Sequence, residues 1–439
     1  MIENYISTRI TKSQIKSSAL TSALFFLFLL FLKPSVPDSL AYFGLSSALS
    51  PTTWNVIATA IAFVLMAIYF KNIGLDLFGG LILLFFAVIA LATMSNMGDL
   101  TFWTTENLPC IALCLFTAVL WKRNAENLLK GAMAASVFFL LINLFFFFAE
   151  GNSPTIASTD AFFYGYRNIT FRIAIPAFTC SLLLDSKERR KPSVRSWIIF
   201  ALSVFEMLVA YSATSICGIL IMGAIVALSR FRVSRHIFNG ITGLTLYVVA
   251  FVSVVVFRVQ NYFGFIFEGI LGRSVTFTGR TLIWDEAFRL LDGVHWLKGF
   301  GESYIWNALT VDDQIFMHAH NEMLHIIMLG GLPALAVFAT VLGLVAYLLY
   351  SRRDAFGASC LSAALFAYLV IGISEVTLFP SSFFILAVMY YYCRYNLQPD
   401  SVNLTHKNAA HARHARLCYD QPFPRSSRQE PDYNTKGRG

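Results

Sequence analysis

The sequence has few charged residues for its length. Only 13% of its 439 residues are Asp, Glu, Lys or Arg, whereas 57% are hydrophobic. Soluble domains carry about 25% charged residues on average. Apolar stretches of nearly membrane-spanning length recur along the chain. This composition excludes an ordinary soluble domain and predicts an all-α polytopic membrane protein.

Several motifs of nucleotide-dependent and metal-dependent enzymes are also absent. The chain contains no P-loop, no GxGxxG segment and no HExxH zinc motif. Nearly all of its seven cysteines lie in predicted spans or in the tail, and none lies in the long loop at 258–321. We therefore predict neither a disulfide framework nor a cysteine metal site. No convincing cleavage site follows the first apolar segment, which we interpret as a retained anchor.

The apolar segments predict about twelve transmembrane helices. Span 322–350 is the longest, and Gly330, Gly331 and Pro333 predict a kink in it. Residues 1–397 then form a helical bundle, and the polar tail at 398–439 is predicted to be disordered and cytoplasmic. The spans lie at roughly 17–32, 52–70, 75–94, 104–121, 131–149, 169–184, 197–212, 216–229, 238–257, 322–350, 357–374 and 379–395.

Lysines and arginines in the connecting loops predict the orientation. They concentrate in alternate short loops, which places those loops and both termini in the cytoplasm. The net charge of +8 is thus a topology signal, and we predict no nucleic-acid partner. The longest connection, about 258–321, precedes the tenth span and falls on the exterior face. Its tryptophans and balanced charge predict a folded, partly helical cap.

The segment TFTGRTLIWDEAFRLL opens a helix within this exterior loop. Thr278 is the predicted N-cap, and Gly279 can adopt a backbone conformation that other residues avoid. The apolar spacing that starts at Arg280 predicts an amphipathic helix, with the guanidinium lying along the indole of Trp284. Arg280 could be an interfacial arginine that reaches into water, or a fork that binds phosphate.

A pair of glycines stands in the segment GFGESYIW, on either side of Phe300. They predict a tight turn and the close approach of a ligand. Alone, this is a weak functional signal.

The segment FMHAHNEMLH ends the loop and leads into the tenth span. Asn321 is its predicted N-cap, and His318 and His320 lie just outside the membrane. Three interpretations remain open: histidines that only cap and pack, a metal site of His318, His320, His325 and Glu322, and general base catalysis. We favour general base catalysis, because the pKa of histidine lies near working pH and the ligand spacing matches no metal motif.

Further charges fall at the predicted exterior ends of spans. Arg167 and Arg172 lie at the start of the sixth span, and Glu375 follows the eleventh. Ionisable groups at such depths are costly and often functional. Together with Arg280, these arginines predict a site for the anionic head group of a lipid, such as a pyrophosphate.

These segments carry a family resemblance. The order FTGRTLIW, LKGFGESY, HAHNEMLH and LGGLPAL over about residues 200–380 resembles the O-antigen ligase/polymerase superfamily. The resemblance implies a GT-C-like fold and an inverting, metal-independent glycosyltransferase without a cofactor. Its donor would be a glycan on undecaprenyl pyrophosphate, and its acceptor a glycan or lipid-glycan hydroxyl. The location would be the bacterial inner membrane, with the active site on the exterior (periplasmic) face.

The resemblance also implies residue roles. Arg280 would hold the pyrophosphate, and His320, with His318 beside it, would act on the acceptor hydroxyl. The remaining predicted substrate-binding residues are Arg167, Arg172, Arg258, Arg273, Trp284, Asn321 and Glu375.

One departure from the family and one alternative function stay open. Many members carry an arginine where the segment YSATSICGIL has Ile216 or a neighbour, which weakens the ligase assignment relative to a polymerase. A transporter or flippase of lipid-linked glycans is the alternative. It would not need a folded exterior loop ending in histidines, and related halves would be expected in it.

Overall fold

The computed structural model describes residues 2–32, 51–149, 163–164, 167–188, 191–259, 279–302, 309–311, 314–316 and 318–395. In these ranges the chain is a bundle of α-helices with one antiparallel strand pair, β1 (Thr310–Val311) and β2 (Gln314–Ile315). The helices are α1 (Ile2–Phe31), α2 (Pro51–Asn72), α3 (Leu77–Ser95), α4 (Leu100–Ala149), α5 (Phe171–Glu188), α6 (Val194–Val209), α7 (Ala213–Leu228), α8 (Arg232–Ile237), α9 (Gly240–Ala250, continued by a π-helical turn at Phe251–Val256), α10 (Arg280–Leu290), α11 (His295–Lys298), α12 (Glu322–Ser351), α13 (Phe356–Gly372) and α14 (Pro380–Tyr395).

Every predicted span coincides with helix. Helix α4 contains two of them, and its geometry breaks at Asn124, where φ is −140°. Five of the helices in the described ranges are long and apolar enough to cross a membrane, by length and composition. The all-α, membrane-type class is confirmed. The count of twelve crossings and the GT-C likeness stay predictions.

The centre of the bundle is formed by α5, α13 and α14. Helix α13 is buried at every position except Val370. A helix that is apolar all round needs apolar surroundings on all sides, and here neighbouring helices supply them. Gly218 of α7 lets that helix approach α13, since a Cβ there would lie 2.7 Å from Ile371. By contrast, α1 and α2 expose large apolar side chains such as Phe26 and Phe63, as a lipid-facing surface does.

Helix α12 is kinked at Gly330–Gly331, as predicted, with φ of 66° at Gly331. A kink removes backbone hydrogen bonds within a helix and leaves carbonyls without helical partners. The loop before α12 satisfies two of these carbonyls. The backbone N–H groups of Phe300 and Gly301 donate to the carbonyls of Met328 at 2.7 Å and Leu329 at 2.8 Å. The loop is thereby docked into the kink.

The glycines of the GFG segment permit this docking. Gly299 and Gly301 have φ of 66° and 65°. A Cβ would lie 2.6 Å from the Gly330 nitrogen at the first position and 2.3 Å from the Thr93 Cα at the second. The close approach predicted for a ligand is instead made by the protein's own backbone, which corrects that interpretation of the segment.

Candidate active site

Glu375 lies in the turn between α13 and α14 and joins the two principal predicted site residues. Its Oε1 accepts a hydrogen bond from Nη2 of Arg280, and its Oε2 lies 3.3 Å from Nδ1 of His320. The amide of Asn168 also donates to Oε1, at 2.8 Å. The side chains of Arg280 and His320 are each 16% exposed and that of Glu375 is 7% exposed. The folded chain thus brings an arginine, a carboxylate and a histidine into one mostly buried cluster.

Helix α10 holds Arg280 and His320 in this cluster. Gly279, with φ of 85°, immediately precedes the helix and takes the N-cap position that was predicted for Thr278, which is outside the described residues. The fully buried Trp284 anchors the helix, and its indole N–H donates to the backbone carbonyl of His320 at 3.2 Å.

The predicted stacking of Arg280 on Trp284 is wrong. The guanidinium of Arg258 lies over the indole instead, 4.9 Å from the ring centroid. Arg258 also bonds to the carboxylate of Asp285 at 2.5 Å. Arg280 instead bonds to the buried carboxylate of Glu375. A carboxylate is a stronger partner for a guanidinium than an indole ring is.

His320 has an unusual backbone. Its φ is 47°, in the left-handed region that residues other than glycine rarely occupy. Such conformations cost about 1–3 kcal/mol and cluster at functional sites. The fully buried Asn321 fixes the conformation, since it caps α12 by accepting from the Leu324 N–H at 2.9 Å and donates to the Ile373 carbonyl at 3.0 Å. Asn321 is therefore the N-cap, as predicted, and ties α12 to the turn that carries Glu375.

His318 packs directly on His320, with ring centroids 3.9 Å apart. Its Nδ1 accepts the backbone N–H of His320 at 3.4 Å. Burial, together with the nearby His320, His325, Arg172 and Arg280, lowers the pKa of His318 well below its ordinary value. His318 is therefore neutral at physiological pH, and its hydrogen bond leaves the ring proton on Nε2.

Glu375 is ionised in this arrangement. Burial acts to raise its pKa, but contact with His320 and the positive charge of Arg280 outweigh burial, so the pKa lies below its ordinary value. A buried carboxylate that holds both a guanidinium and an imidazole fixes their geometry and their charge.

The four residues of the predicted metal site, His318, His320, His325 and Glu322, do not come together as a ligand set. His325 lies one turn inside α12, its ring centroid 6.4 Å from that of His318, and Glu322 accepts the backbone N–H of Thr377 at 2.5 Å. Ligand atoms of His318, His320 and Glu375 do lie within 4.8 Å of one another. Because Arg280 already bonds that carboxylate, its positive charge opposes a cation, and these residues fit a metal poorly.

The other predicted arginines are placed differently. Arg172 is beside the cluster, its guanidinium carbon 3.0 Å from the ring centroid of Phe379, and its charge acts on His318. Arg167 begins a 3₁₀ turn, but its side chain is outside the described residues, as is all of Arg273.

Sequence reasoning missed Asn168 and a set of hydroxyl groups near it. Ser215 donates to the Asn168 carbonyl at 3.2 Å, and the Thr214 and Ser374 hydroxyls are 3.0 Å apart. Thr214 and Ser215 belong to the YSATSICGIL segment, where many family members have an arginine. The available signal for Asn168 was its position between Arg167 and Arg172.

Comparison with known proteins supports the resemblance. Residues 198–339 match the family model described as O-Antigen ligase. This range contains Arg280, His318 and His320 but not Glu375, Asn168 or Arg172. No curated protein matches the chain. The match confirms the resemblance to the O-antigen ligase/polymerase superfamily over residues 198–339.

Proposed function

We propose that this protein is a membrane glycosyltransferase that moves a glycan from an undecaprenyl-pyrophosphate donor to a sugar hydroxyl on the exterior face of a bacterial inner membrane. One observation carries the proposal: Glu375 contacts both Arg280 and His320. It thereby places a group that could bind a leaving anion beside a group that could take a proton.

His320 is the proposed general base. Its Nδ1 lies 3.3 Å from Oε2 of the ionised Glu375 without hydrogen-bond alignment in this structure, and we propose that the nearby negative charge favours the tautomer with the proton on Nδ1. Nε2 is then unprotonated and can accept the proton of an incoming hydroxyl. A carboxylate that orients a histidine in this way also stabilises the imidazolium that forms.

The reaction is a single displacement. The acceptor oxygen attacks the anomeric carbon of the donor glycan, the bond from that carbon to the pyrophosphate oxygen breaks, and the configuration inverts. Undecaprenyl pyrophosphate leaves with the electron pair, and the acceptor proton moves to Nε2 of His320. No nucleotide is consumed, because the lipid-linked donor already carries an activated glycosyl bond.

Arg280 is the proposed binding group for the leaving pyrophosphate. A guanidinium has five N–H donors, so its bond to Glu375 leaves others for phosphate oxygens. Fixed positive charge stabilises the leaving anion more in the transition state than in the ground state. Arg172, whose charge also reaches the cluster, adds to this field. Trp284 and Asn321 are buried behind the cluster, so we propose that they position His320 rather than touch substrate.

The test uses His320→Ala and Arg280→Lys in a strain that lacks the native gene. Transfer should fall by about 10²–10⁴-fold for His320→Ala, the usual contribution of a general base. Arg280→Lys should also lose most activity, because lysine cannot form the same fork. The readouts are surface glycan and the amount of protein in the membrane. Wild-type transfer by both variants would overturn the proposal, and His236→Ala, an exposed histidine of α8, is the matched control.

Removal of metal ions tests the mechanism separately. Transfer by purified protein is expected to continue in EDTA, since Arg280 and His320 supply the charge and the base. Loss of activity in EDTA with recovery on adding a divalent cation would instead favour a metal held by His318, His320 and Glu375.

The acceptor decides between ligase and polymerase. A polymerase joins repeat units, so its deletion leaves single repeats on the lipid carrier. A ligase moves finished chains, so its deletion leaves full-length chains on the carrier. The lipid-linked intermediate of a deletion strain therefore identifies the acceptor class.

A further inference from the structure

A polar cavity lies near the active site, among the ends of α1, α2, α4, α5 and α14. We call it the side cavity and define it by Asn55, Glu106, Arg172 and Ser381, which lie on four of these helices and supply its main polar groups. Its volume is about 120 Å³, roughly ten times the minimum that one water molecule needs on the same measure. Such a space suits one small polar ligand.

Three residues that line this cavity each carry one buried polar atom with no hydrogen-bond partner within the described protein. These atoms are Oδ1 of Asn55, Nε of Arg172 and Oγ of Ser381. Ser381 is only 2% exposed. Buried polar atoms are almost always hydrogen-bonded, because an unmet bond costs about 1–3 kcal/mol. Since the three residues lie on three helices and line one cavity, a polar ligand held there could bond to all of them.

The mixture of donors and acceptors indicates the chemistry of that ligand. Arg172 Nε can only donate, Asn55 Oδ1 accepts, and the Ser381 hydroxyl can do either. An anion has only acceptors, and the carboxylate of Glu106 would repel it. A cation would be repelled by Arg172. A neutral polyhydroxylated ring offers a donor and an acceptor at each hydroxyl and satisfies the whole set.

The position of the side cavity relates it to the proposed reaction. The Arg172 guanidinium lies on Phe379, which is in the same turn as Glu375. The charge of Arg172 acts both on Glu106, in the cavity wall, and on Glu375, in the active site. Arg172 is therefore shared between the cavity and the surroundings of the active site, and a ring held in the cavity would bond to it.

We propose that the side cavity binds one neutral sugar residue of the acceptor glycan, through hydrogen bonds to Asn55, Arg172 and Ser381. The acceptor role rests on the proposed glycosyltransferase function, whereas sugar binding itself does not. Each neutral hydrogen bond contributes about 0.5–1.5 kcal/mol. Loss of one should weaken binding by about 3- to 10-fold.

The experiment measures thermal unfolding of the purified full-length protein in detergent with a panel of methyl pyranosides. The panel contains the gluco, galacto, manno, rhamno and N-acetylglucosamine forms, and sodium pyrophosphate serves as the anion arm. At least one glycoside should raise the Tm, since a ligand that binds only the folded state stabilises it. The rise should shrink in Ser381→Ala and Asn55→Ala and nearly vanish in the double variant.

The controls lie on the same helices. Ser382→Ala alters the residue next to Ser381, and Ser382 lines a separate apolar cavity. Asn72→Ala lies at the other end of α2, where its amide bonds to the Ile68 carbonyl. Both should keep the full glycoside shift. Circular dichroism of the ligand-free variants verifies folding, and the single variants replace the double one if it unfolds.

Three outcomes would overturn the proposal. The first is no shift with any glycoside, the second a shift with pyrophosphate alone, and the third a glycoside shift that the double variant retains in full. Failure of the proposed function looks different. In that case His320→Ala keeps wild-type transfer, while the glycoside shift and its loss in the double variant are unaffected.

Discussion

At the scale of single residues, the proposed active site is built around the ionised carboxylate of Glu375. It lies in the turn after α13, yet bonds to Arg280 at the start of α10 and contacts His320 before α12. A buried ion pair contributes little net stability, but removal of one partner leaves an uncompensated charge that costs about 3–5 kcal/mol. The pair is thus better explained by the geometry that it imposes than by the stability that it adds.

Replacement of Glu375 by Gln tests this role. The amide keeps the size of the side chain but loses the charge that favours protonation of His320 on Nδ1. We expect kcat to fall by roughly 10²-fold, within the range for impaired general base catalysis, while acceptor KM changes little. Steady-state kinetics on purified protein provide the measurement. A wild-type kcat would show that His320 does not depend on the carboxylate.

Glu302 is a second residue whose environment predicts pH dependence. Its backbone N–H donates to Thr93 Oγ1 at 3.0 Å and its carbonyl accepts from Asp99 at 2.8 Å. The pKa of its carboxyl is raised to about 7, mainly by burial. A hydrogen bond from Asn107 acts to lower this pKa, and the charge of Glu106 acts to raise it.

The raised pKa of Glu302 determines in which direction stability changes with pH. Between the unfolded pKa of about 4.3 and the folded value of about 7, the folded state binds more protons than the unfolded state. The contribution of Glu302 is complete below this window and is lost as pH rises through it. In Glu302→Gln, thermal unfolding between pH 5 and pH 8 should lose that part of its pH dependence. Parallel pH curves for the variant and the wild type would refute this assignment.

At the scale of elements, the kink of α12 and the GFG segment form one unit. The kink exposes the carbonyls of Met328 and Leu329, and the loop occupies them through Phe300 and Gly301. Neither feature is stable alone, because a kinked helix leaves polar groups unmet and an undocked loop has no anchor. The two together place the loop before α12 against the helix that follows the histidines.

Gly331→Ala should break this unit. At φ of 66° the backbone of any residue with a side chain is strained. The Cβ of alanine at this position would also lie 2.3 Å from the Leu297 carbonyl oxygen. We expect a loss of about 1–3 kcal/mol in the free energy of unfolding, together with lower transfer. Gly343→Ala, on the same helix with nothing within 4 Å of its Cβ, is the control and should be neutral or stabilising by about 0.5–1 kcal/mol. Equal effects of the two substitutions would contradict the docking role.

At the scale of the whole molecule, the proposed function requires the end of the bundle that carries the site to be exterior. The loop that carries Arg280, the turn that carries Glu375 and the start of α12 meet at one end of the bundle. The basic loops, including the one that carries α8, were predicted to lie on the cytoplasmic side. A donor glycan carried by a membrane lipid would reach this site from the bilayer surface.

Cysteine labelling tests the orientation with two exposed valines. Val294, before α11, is 58% exposed, and Val233, in α8, is 70% exposed. In a background with Cys217→Ser and Cys418→Ser, a membrane-impermeant maleimide applied to the outside of the inner membrane should label Val294→Cys but not Val233→Cys. Val233→Cys should react only after the membrane is opened. The reverse pattern would overturn the predicted topology and the exterior location of the active site.

The sequence by itself determined where the helices lie and which segments carry the candidate site residues. A chain in lipid must satisfy its backbone hydrogen bonds internally, so long apolar runs become helices whatever their neighbours. The N-cap at Asn321, the left-handed Gly279 and the kink at Gly330–Gly331 are equally local, because each depends on a few adjacent residues. Arg280 and His320 were proposed as site residues from equally local patterns.

Only the tertiary structure decided which side chains meet. Glu375 pairs with Arg280 across 95 positions of the chain, and Arg258, rather than Arg280, covers Trp284. The GFG glycines approach a helix of the protein instead of a ligand, and the side cavity draws its walls from five helices. No local pattern encodes these contacts, since they depend on how helices far apart in sequence pack against one another.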